Sequence, residues 1–279
     1  IDLVLPAHRK NMLAWLSVAG LIGILAGSLV LLWDKDMSLY GGLVFVDSYS
    51  LFFKSFFMVL GVFVILSSVD YVGKYLDHPG EFYGLVLLSL LAMNIMAASA
   101  ELLTAYIALE LMSFSFYVLV SHARDNPKSN EAGTKYVLIG AFSSAILLFG
   151  LSMIYSTTTV TRFADISAFL AAADGVSPAL WVGLALMLVG LGFKVAAVPF
   201  HMWAPDVYEG SPLPITAYLA VGSKAAAFGL ILRLFSEAFM PSIDDWQIIV
   251  AVMAAVTMSV GNLVAIAQHN IKRLLAYSS

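Results

Sequence analysis

Long apolar segments separated by short polar ones make up most of the chain. Many of them have about the 20 residues that a helix needs to cross the roughly 30 Å hydrocarbon core of a bilayer. We predict membrane-spanning helices at 12–33, 49–69, 81–98, 102–121, 131–155, 179–198, 212–239 and 245–268. Residues 156–178 are too polar to span and are predicted to form a loop with a short interfacial helix.

Composition excludes a soluble domain. Hydrophobic residues make up 61% of the chain and charged residues 11%, whereas a soluble domain has about 25% charged residues. Too few polar side chains remain to cover a surface that faces water. The predicted fold class is therefore an all-α polytopic membrane protein. Because residues 1–11 resemble the tail of a helix and 269–279 the start of another, we expect a piece of a longer protein.

Residue types exclude several kinds of site. The chain has no Cys, which rules out disulfides, thiolate metal sites and iron–sulfur ligation by this chain. Its five His residues are scattered without metal-ligand spacing, and no basic run suits nucleic acid. We therefore predict no metal, no cofactor and no redox centre in this chain, and no nucleic-acid partner.

Lys and Arg between the predicted spans are divided unevenly between the two sides of the membrane. The richer side faces the cytoplasm or an equivalent compartment, by the positive-inside rule. Lys35 and Arg162 lie on the poorer side, and the polar segment after Lys194 is predicted to emerge on the richer one. The richer side holds Arg9, Lys10, Lys74, Arg124, Lys128, Lys135, Lys272 and Arg273.

Charged residues near the ends of spans have simpler expected roles. Lys54 and Arg233 are expected to extend their side chains to the lipid headgroups. Asp47 is a candidate partner for Lys54. Glu101 begins a predicted helix, where a carboxylate favours the helix dipole, so capping is as reasonable as a functional role.

Three ionisable residues fall well inside predicted spans: Glu110, Lys194 and Lys224. Each costs roughly 2.5–3.5 kcal/mol or more at the bilayer centre unless it is paired or hydrated. A carboxylate and an ammonium group close together restore each other's charge, so this set can relay a proton. A static buried ion pair that fixes helix packing is the alternative. Glu110 shares a helical face with Tyr106, Ser113 and Tyr117. These side chains either form hydrogen bonds with Glu110 or pack against neighbouring residues.

A break in a membrane helix is predicted just after Lys194. Pro199 lacks a backbone donor and disfavours helix at Val198. Broken helices at membrane depth are buried in protein or line a wet cavity, and they recur at ion sites in transporters. His201 follows the break, where it is either a proton-exchanging group or a hydrogen-bonded structural histidine. Small residues that allow close helix approach are Gly183, Gly190 and Gly192.

Several segments resemble one family in order and spacing. The chain resembles subunit N of respiratory complex I, the proton-pumping NADH:quinone oxidoreductase, in FKVAAVPFHMWAPDVYEGSPLPITAYLAVGSKAAAFGLILRLF, ELLTAYIALELMSFSFYVLV, KYVLIGAFSSAILLFGLSMIY and NLVAIAQHNIKRLLAYSS. The wider family includes complex I subunits L and M and the large subunits of cation/proton antiporters. DVYEGSPLPI and AVGSKAAAF resemble subunit N more than those relatives.

The resemblance implies an antiporter-like helix bundle with a discontinuous transmembrane helix, incomplete at both ends. It implies peripheral helices within 12–69, a first five-helix repeat at 82–238 and the start of a second repeat at 245–279. The lysine of that second repeat would lie beyond residue 279.

Roles for three residues follow from the same resemblance. Glu110 resembles the carboxylate of the first repeat, Lys194 the lysine at the broken helix that pairs with it, and Lys224 the lysine of the central axis. These three are the predicted proton relay, and His201 is a weaker candidate for proton exchange.

The resemblance also implies an activity and partners. The chain would be a proton-translocating subunit of a complex I-type enzyme, with FMN and iron–sulfur clusters in partner subunits. Expected neighbours are the antiporter-like subunit M and the small subunits K and J, in a bacterial plasma membrane, with thylakoid and mitochondrial inner membranes as alternatives. Rival functions are a sodium/proton antiporter subunit and a membrane scaffold that moves no ions. A quinone site has no specific support in the sequence.

Overall fold

The computed structural model describes residues 11–76, 78–173, 175 and 177–279, with only the backbone of Asn11. The helix end expected near the N-terminus, with Arg9 and Lys10, lies outside this range. The helices are α1 Asn11–Leu32, α2 Ser48–Tyr75, α3 Pro79–Ala98, α4 Leu102–Val120, α5 Pro127–Thr158, α6 Phe163–Ala172, α7 Pro178–Val195, α8 Trp203–Gly210, α9 Leu213–Tyr218, α10 Lys224–Glu237, α11 Ile243–Ile266 and α12 Ile271–Ser278.

Eight helical segments in the described part are long and apolar enough to cross a membrane, which confirms the polytopic α-helical fold class. They correspond one by one to the predicted spans, with shifted ends. The span at 131–155 is longer at both ends as α5. Its earlier start is stabilised by the Asn126 side chain, which caps the first turn by accepting from the Lys128 N–H. The predicted span at 212–239 comprises α9, a π-helical turn at Leu219–Ser223 and α10.

Two local features lie between the spans. A two-stranded antiparallel hairpin, β1 Met37–Leu39 with β2 Val44–Val46, was absent from the sequence prediction. The short helix predicted within 156–178 is present as α6. Its buried face is formed by Phe163, Ile166 and Leu170, spaced as one side of a helix requires.

Glycines bring α5 and α7 into backbone contact. A Cβ atom on Gly150 would lie 2.9 Å from the Gly183 carbonyl oxygen, and one on Gly190 would lie 2.5 Å from Leu147 Cβ. The prediction that Gly183 and Gly190 permit close approach is therefore confirmed. This contact places the polar residues of α5 beside the C-terminal end of α7.

Arg233 does not extend to the lipid headgroups. Its side chain is only 1% exposed and forms ion pairs with Asp47 and Glu237, and it donates to the Ala97 carbonyl oxygen at 2.6 Å. The expected snorkelling of Arg233 was wrong, as was the expected pairing of Asp47 with Lys54. The sequence places Asp47 far from Arg233, and only the packing of α2 against α10 brings them together.

Glu101 is a helix cap. Its carboxylate accepts from the Thr104 backbone N–H at 2.7 Å and from the Thr104 hydroxyl at 2.8 Å. Both bonds lie at the first turn of α4, where unpaired N–H groups need acceptors. Of the two roles considered for Glu101, these contacts support helix capping.

Candidate functional site

Glu110 and Lys194 meet between α4 and α7. Lys194 Nζ lies 3.9 Å from Glu110 Oε1, and the two side chains are 5% and 16% exposed. This distance is that of an ion pair rather than of a direct charge-assisted hydrogen bond, which is about 2.7–2.9 Å. The two residues predicted to pair are therefore adjacent, but they are not in direct hydrogen-bonding contact.

Hydroxyl groups contact each member of this pair. Lys194 Nζ donates to Ser113 Oγ at 2.7 Å, and Ser144 Oγ donates to Glu110 Oε1 at 2.5 Å. Ser113 was predicted to share a helical face with Glu110, yet its hydroxyl contacts the lysine. Ser144 was not singled out from the sequence, because nothing in the α5 segment separates it from serines that bond only to their own helix.

The helix that carries Lys194 ends one residue later, at Val195. Ala196 has a left-handed backbone conformation, with φ of 58°, and the Val198 N–H donates to Thr257 Oγ1 of α11 at 2.9 Å. Trp203 Nε1 donates to the Phe193 carbonyl oxygen at 2.9 Å. Side chains from neighbouring elements thus satisfy backbone groups that the helix end leaves unpaired.

Lys224 is the first residue of α10, directly after the π-helical turn Leu219–Ser223. Its Nζ donates to Ser279 Oγ at 2.6 Å and lies 5.8 Å from the centre of the Tyr208 ring. Lys224 is buried. A π-helical turn in a helix is frequently found at a functional site.

A largely apolar cavity of about 590 Å³ lies between α7, α10, α11 and α12. Lys224, His201, Tyr277 and Ser279 line it. Within the described part of the chain, the buried His201 Nδ1 has no hydrogen-bond partner, and its ring lies 6.2 Å from that of Tyr277. His201 therefore adjoins the Lys224 side of the site, whereas the pair of Lys194 and Glu110 lies between α4, α5 and α7.

An aromatic group lies beside the candidate site, where Lys194 Nζ is 6.0 Å from the centre of the Tyr117 ring. The Tyr117 ring packs edge-on against Tyr136 at 4.7 Å, and Tyr136 stacks on Trp203 at 4.7 Å. The Tyr117 hydroxyl is buried and lacks a hydrogen-bond partner among the described residues. It occupies the space above Gly140, where a Cβ atom would approach it to 2.1 Å.

Ion pairs surround α8 on the side of the membrane predicted to be basic. Asp206 bonds to Lys135 at 2.9 Å and to Arg273 at 2.7 Å, and Glu209 bonds to Arg273 at 3.1 Å and Lys128 at 3.3 Å. The hydrogen bond from Lys135 lowers the pKa of Asp206, and that from Arg273 lowers the pKa of Glu209. The segment after Lys194 therefore contacts the basic residues that the loop count assigned to its side.

Metal-binding geometry is not found in the described ranges. No three His, Cys, Asp or Glu side chains converge there. The side chains of the candidate site present carboxylate, ammonium, imidazole and hydroxyl groups.

Known proteins resemble the chain over its whole length. It is 43% identical to NADH-quinone oxidoreductase subunit N of Desulforamulus reducens over 279 residues, which is 100% of this chain and 58% of that protein. It is 44% identical to subunit N of Trichlorobacter lovleyi, covering 100% of this chain and 57% of that protein. The chain thus spans somewhat more than half the length of these relatives.

A solved structure of a respiratory complex also matches the chain. A chain of respiratory complex I from Thermus thermophilus with bound aureothin matches with a TM-score of 0.76 and 36% identity, covering 99% of this chain and 57% of that one. The resemblance to subunit N is confirmed. A family described as the transmembrane part of NADH:quinone oxidoreductase and the Mrp antiporter matches residues 99–279. The chain belongs to this family of antiporter-like membrane proteins.

Proposed function

We propose that this chain translocates protons as an antiporter-like subunit of a complex I-type NADH:quinone oxidoreductase. The observation that carries the proposal is the buried pair of Glu110 and Lys194, 3.9 Å apart, beside a helix that ends at Val195. Buried charges that are paired but not locked together can change protonation when their surroundings change. The subunit N relatives supply the enzyme class.

In this mechanism Lys194 and Lys224 exchange protons through hydrated gaps near the end of α7. Glu110 tunes the proton affinity of Lys194: when the pair separates, the ammonium group loses its compensating charge and releases its proton toward Lys224. His201 is a further exchange group, because it lines the same cavity as Lys224. Electron transfer takes place in partner subunits that hold FMN and iron–sulfur clusters, and it drives the separation of the pair.

The assembly follows from the same proposal. Residues 82–238 form the first five-helix repeat, 12–69 contribute peripheral helices and 245–279 begin a second repeat. Membrane subunits M, K and J are the proposed neighbours, and the bacterial plasma membrane is the proposed location. α11 has no buried residue in this structure, which suits a helix that packs against further membrane helices.

The test is proton pumping by the assembled, full-length complex with Glu110→Gln or Lys224→Met. Both variants should lower the number of protons moved per electron, while Glu81→Gln, an exposed carboxylate that pairs with Arg124, should not. Unchanged stoichiometry in both variants would overturn the proposal. If the variants fail only in assembly, the chain is a scaffold, and if transport requires sodium, it is a cation antiporter subunit.

A further inference from the structure

The hydroxyl groups of Ser113 and Ser144 form hydrogen bonds with the two charged groups of the candidate site. Each one contacts a different member of the pair: Ser113 accepts from Lys194 at 2.7 Å, and Ser144 donates to Glu110 at 2.5 Å. Both serines are buried, at 1% and 5% exposure. An ammonium group needs acceptors and a carboxylate needs donors, so each serine offers the polarity that its partner requires.

The Ser113 hydroxyl has its orientation fixed by its own helix. Ser113 Oγ donates to the Leu109 carbonyl oxygen at 2.7 Å, which uses its single hydrogen. Its lone pairs are then left to accept from Lys194. Ser144 reaches Glu110 from α5, and the close contact of α5 with α7 at Gly150 and Gly183 holds that helix in place.

These bonds compete with direct contact between the charges. At 3.9 Å, Glu110 and Lys194 attract each other but form no short hydrogen bond. A buried charge that loses its partner normally pays a large desolvation penalty. Here each charge keeps a hydrogen bond to a neutral hydroxyl when the other moves away, so separation of the pair requires less free energy.

We propose that Ser113 and Ser144 are positioning residues that keep the Glu110–Lys194 pair separable, and that without them the pair closes into a static salt bridge. This inference rests on the proposed function, because it assigns the two serines to the step in which the pair opens. It adds to the Glu110–Lys194 pair two residues that contact the charged groups directly.

The experiment uses the assembled complex with Ser113→Ala, Ser144→Ala and the double variant. A hydrogen bond to a charged group is worth a factor of about ten or more in an equilibrium. Each single variant should therefore translocate about tenfold fewer protons per electron transferred. Ser113→Thr and Ser144→Thr, which keep the hydroxyl, should restore translocation. A structure of the double variant should show the Lys194–Glu110 distance reduced to about 2.8 Å.

Matched controls are available on the same helices. Ser115→Ala removes a buried hydroxyl of α4 that bonds only to the Leu111 carbonyl oxygen. Ser143→Ala removes an equally buried hydroxyl of α5 that contacts the neutral Gly190 carbonyl oxygen at 3.4 Å. Both should leave translocation within about twofold of the unmodified complex, because neither hydroxyl contacts a charge. If the alanine variants do not assemble, Ser113→Cys and Ser144→Cys nearly keep the side-chain volume and weaken the hydrogen bond, so they should also reduce translocation, and normal translocation would overturn the inference.

The outcomes separate this inference from the proposed function. If Glu110→Gln stops translocation while the Ser113→Ala/Ser144→Ala variant pumps normally, the serines do not position the pair, and this inference is overturned alone. The same holds if the distance in the double variant stays near 3.9 Å. If Glu110→Gln and Lys194→Met also pump normally, the proposed function fails with it.

Discussion

Lys224 donates a hydrogen bond of 2.6 Å to the hydroxyl of Ser279, and this bond joins α10 to the end of α12. The beginning of α12 is held by α8 and the residue after it, since Arg273 donates to Asp206 at 2.7 Å and Lys272 Nζ donates to the Ser211 carbonyl oxygen at 2.7 Å. α12 therefore connects the ion pairs around α8 to a buried lysine. A displacement of α12 would change the hydrogen bonding of Lys224.

Ser279→Ala removes the acceptor on Lys224. Under the proposed function, loss of a hydrogen bond to a charged group should reduce the protons translocated by the full-length complex about tenfold, with assembly unchanged. The control is Ser278→Ala, since Ser278 is an exposed neighbour on the same helix. The measurement is the number of protons taken up per NADH oxidised. Equal proton-to-NADH ratios in the two variants would contradict a role for the contact between Lys224 and Ser279.

Gly140→Ala should destabilise the protein. The new Cβ atom would lie 2.1 Å from the Tyr117 hydroxyl oxygen and 2.7 Å from its Cζ atom, so the ring or α5 must move. Overpacking of this kind typically costs about 1–3 kcal/mol. The thermal unfolding midpoint of the purified protein in detergent is the quantity to compare.

Gly84→Ala is the matched control for this substitution. Gly84 lies on α3, and apart from the neighbouring backbone of that helix no atom lies within 4 Å of a Cβ atom built there. Alanine favours a helix interior over glycine by about 0.5–1 kcal/mol, so Gly84→Ala should leave the midpoint unchanged or raise it. Equal losses in the two variants would show that the packing of Tyr117 above Gly140 is not the cause.

The sequence predicted the helices better than the contacts between them. A run of about 20 apolar residues has few alternatives in a membrane protein, so every predicted span has a corresponding helix. Glu110, Lys194 and Lys224 could be recognised because a charge inside such a run is rare. The loop count also assigned the segment after Lys194 to the same side as Lys135 and Arg273, and these two residues form ion pairs with Asp206 of α8.

Partners of those charges could not be predicted in the same way. Ser144 and Ser279 resemble the serines that bond to carbonyl groups of their own helices, and only tertiary packing brings them to Glu110 and Lys224. Arg233 was misassigned for the same reason. Its distance from the end of a span permits contact with lipid headgroups, whereas its actual partner Asp47 precedes a helix far away in the sequence.

Arg233→Met should be strongly destabilising. Arg233 is 1% exposed, and its removal leaves the carboxylates of Asp47 and Glu237 without their shared cation. Loss of one partner from a fully buried ion pair costs about 3–5 kcal/mol, and because Asp47 and Glu237 are 27% and 34% exposed, the expected cost lies at or below the lower end of this range. Arg124→Met is the control, because its pair with Glu81 is 64% and 51% exposed and is worth about 0–1 kcal/mol. Free energies of unfolding in detergent should differ accordingly, and similar values would contradict the buried pairing.

Acid should weaken the attachment of α12 to α8. Hydrogen bonds from Lys135 and Arg273 lower the pKa of Asp206 and of Glu209 below their ordinary values of 3.8 and 4.5. A carboxyl group whose pKa is lowered by folding stabilises the fold above its ordinary pKa, and this contribution is lost as pH falls through the lowered value. The free energy of unfolding should therefore decline as pH falls below about 4.5. In an Asp206→Asn/Glu209→Gln variant the decline should be shallower, because neither side chain can then take up a proton. Parallel pH profiles for the two proteins would show that these carboxylates do not hold α12 in place.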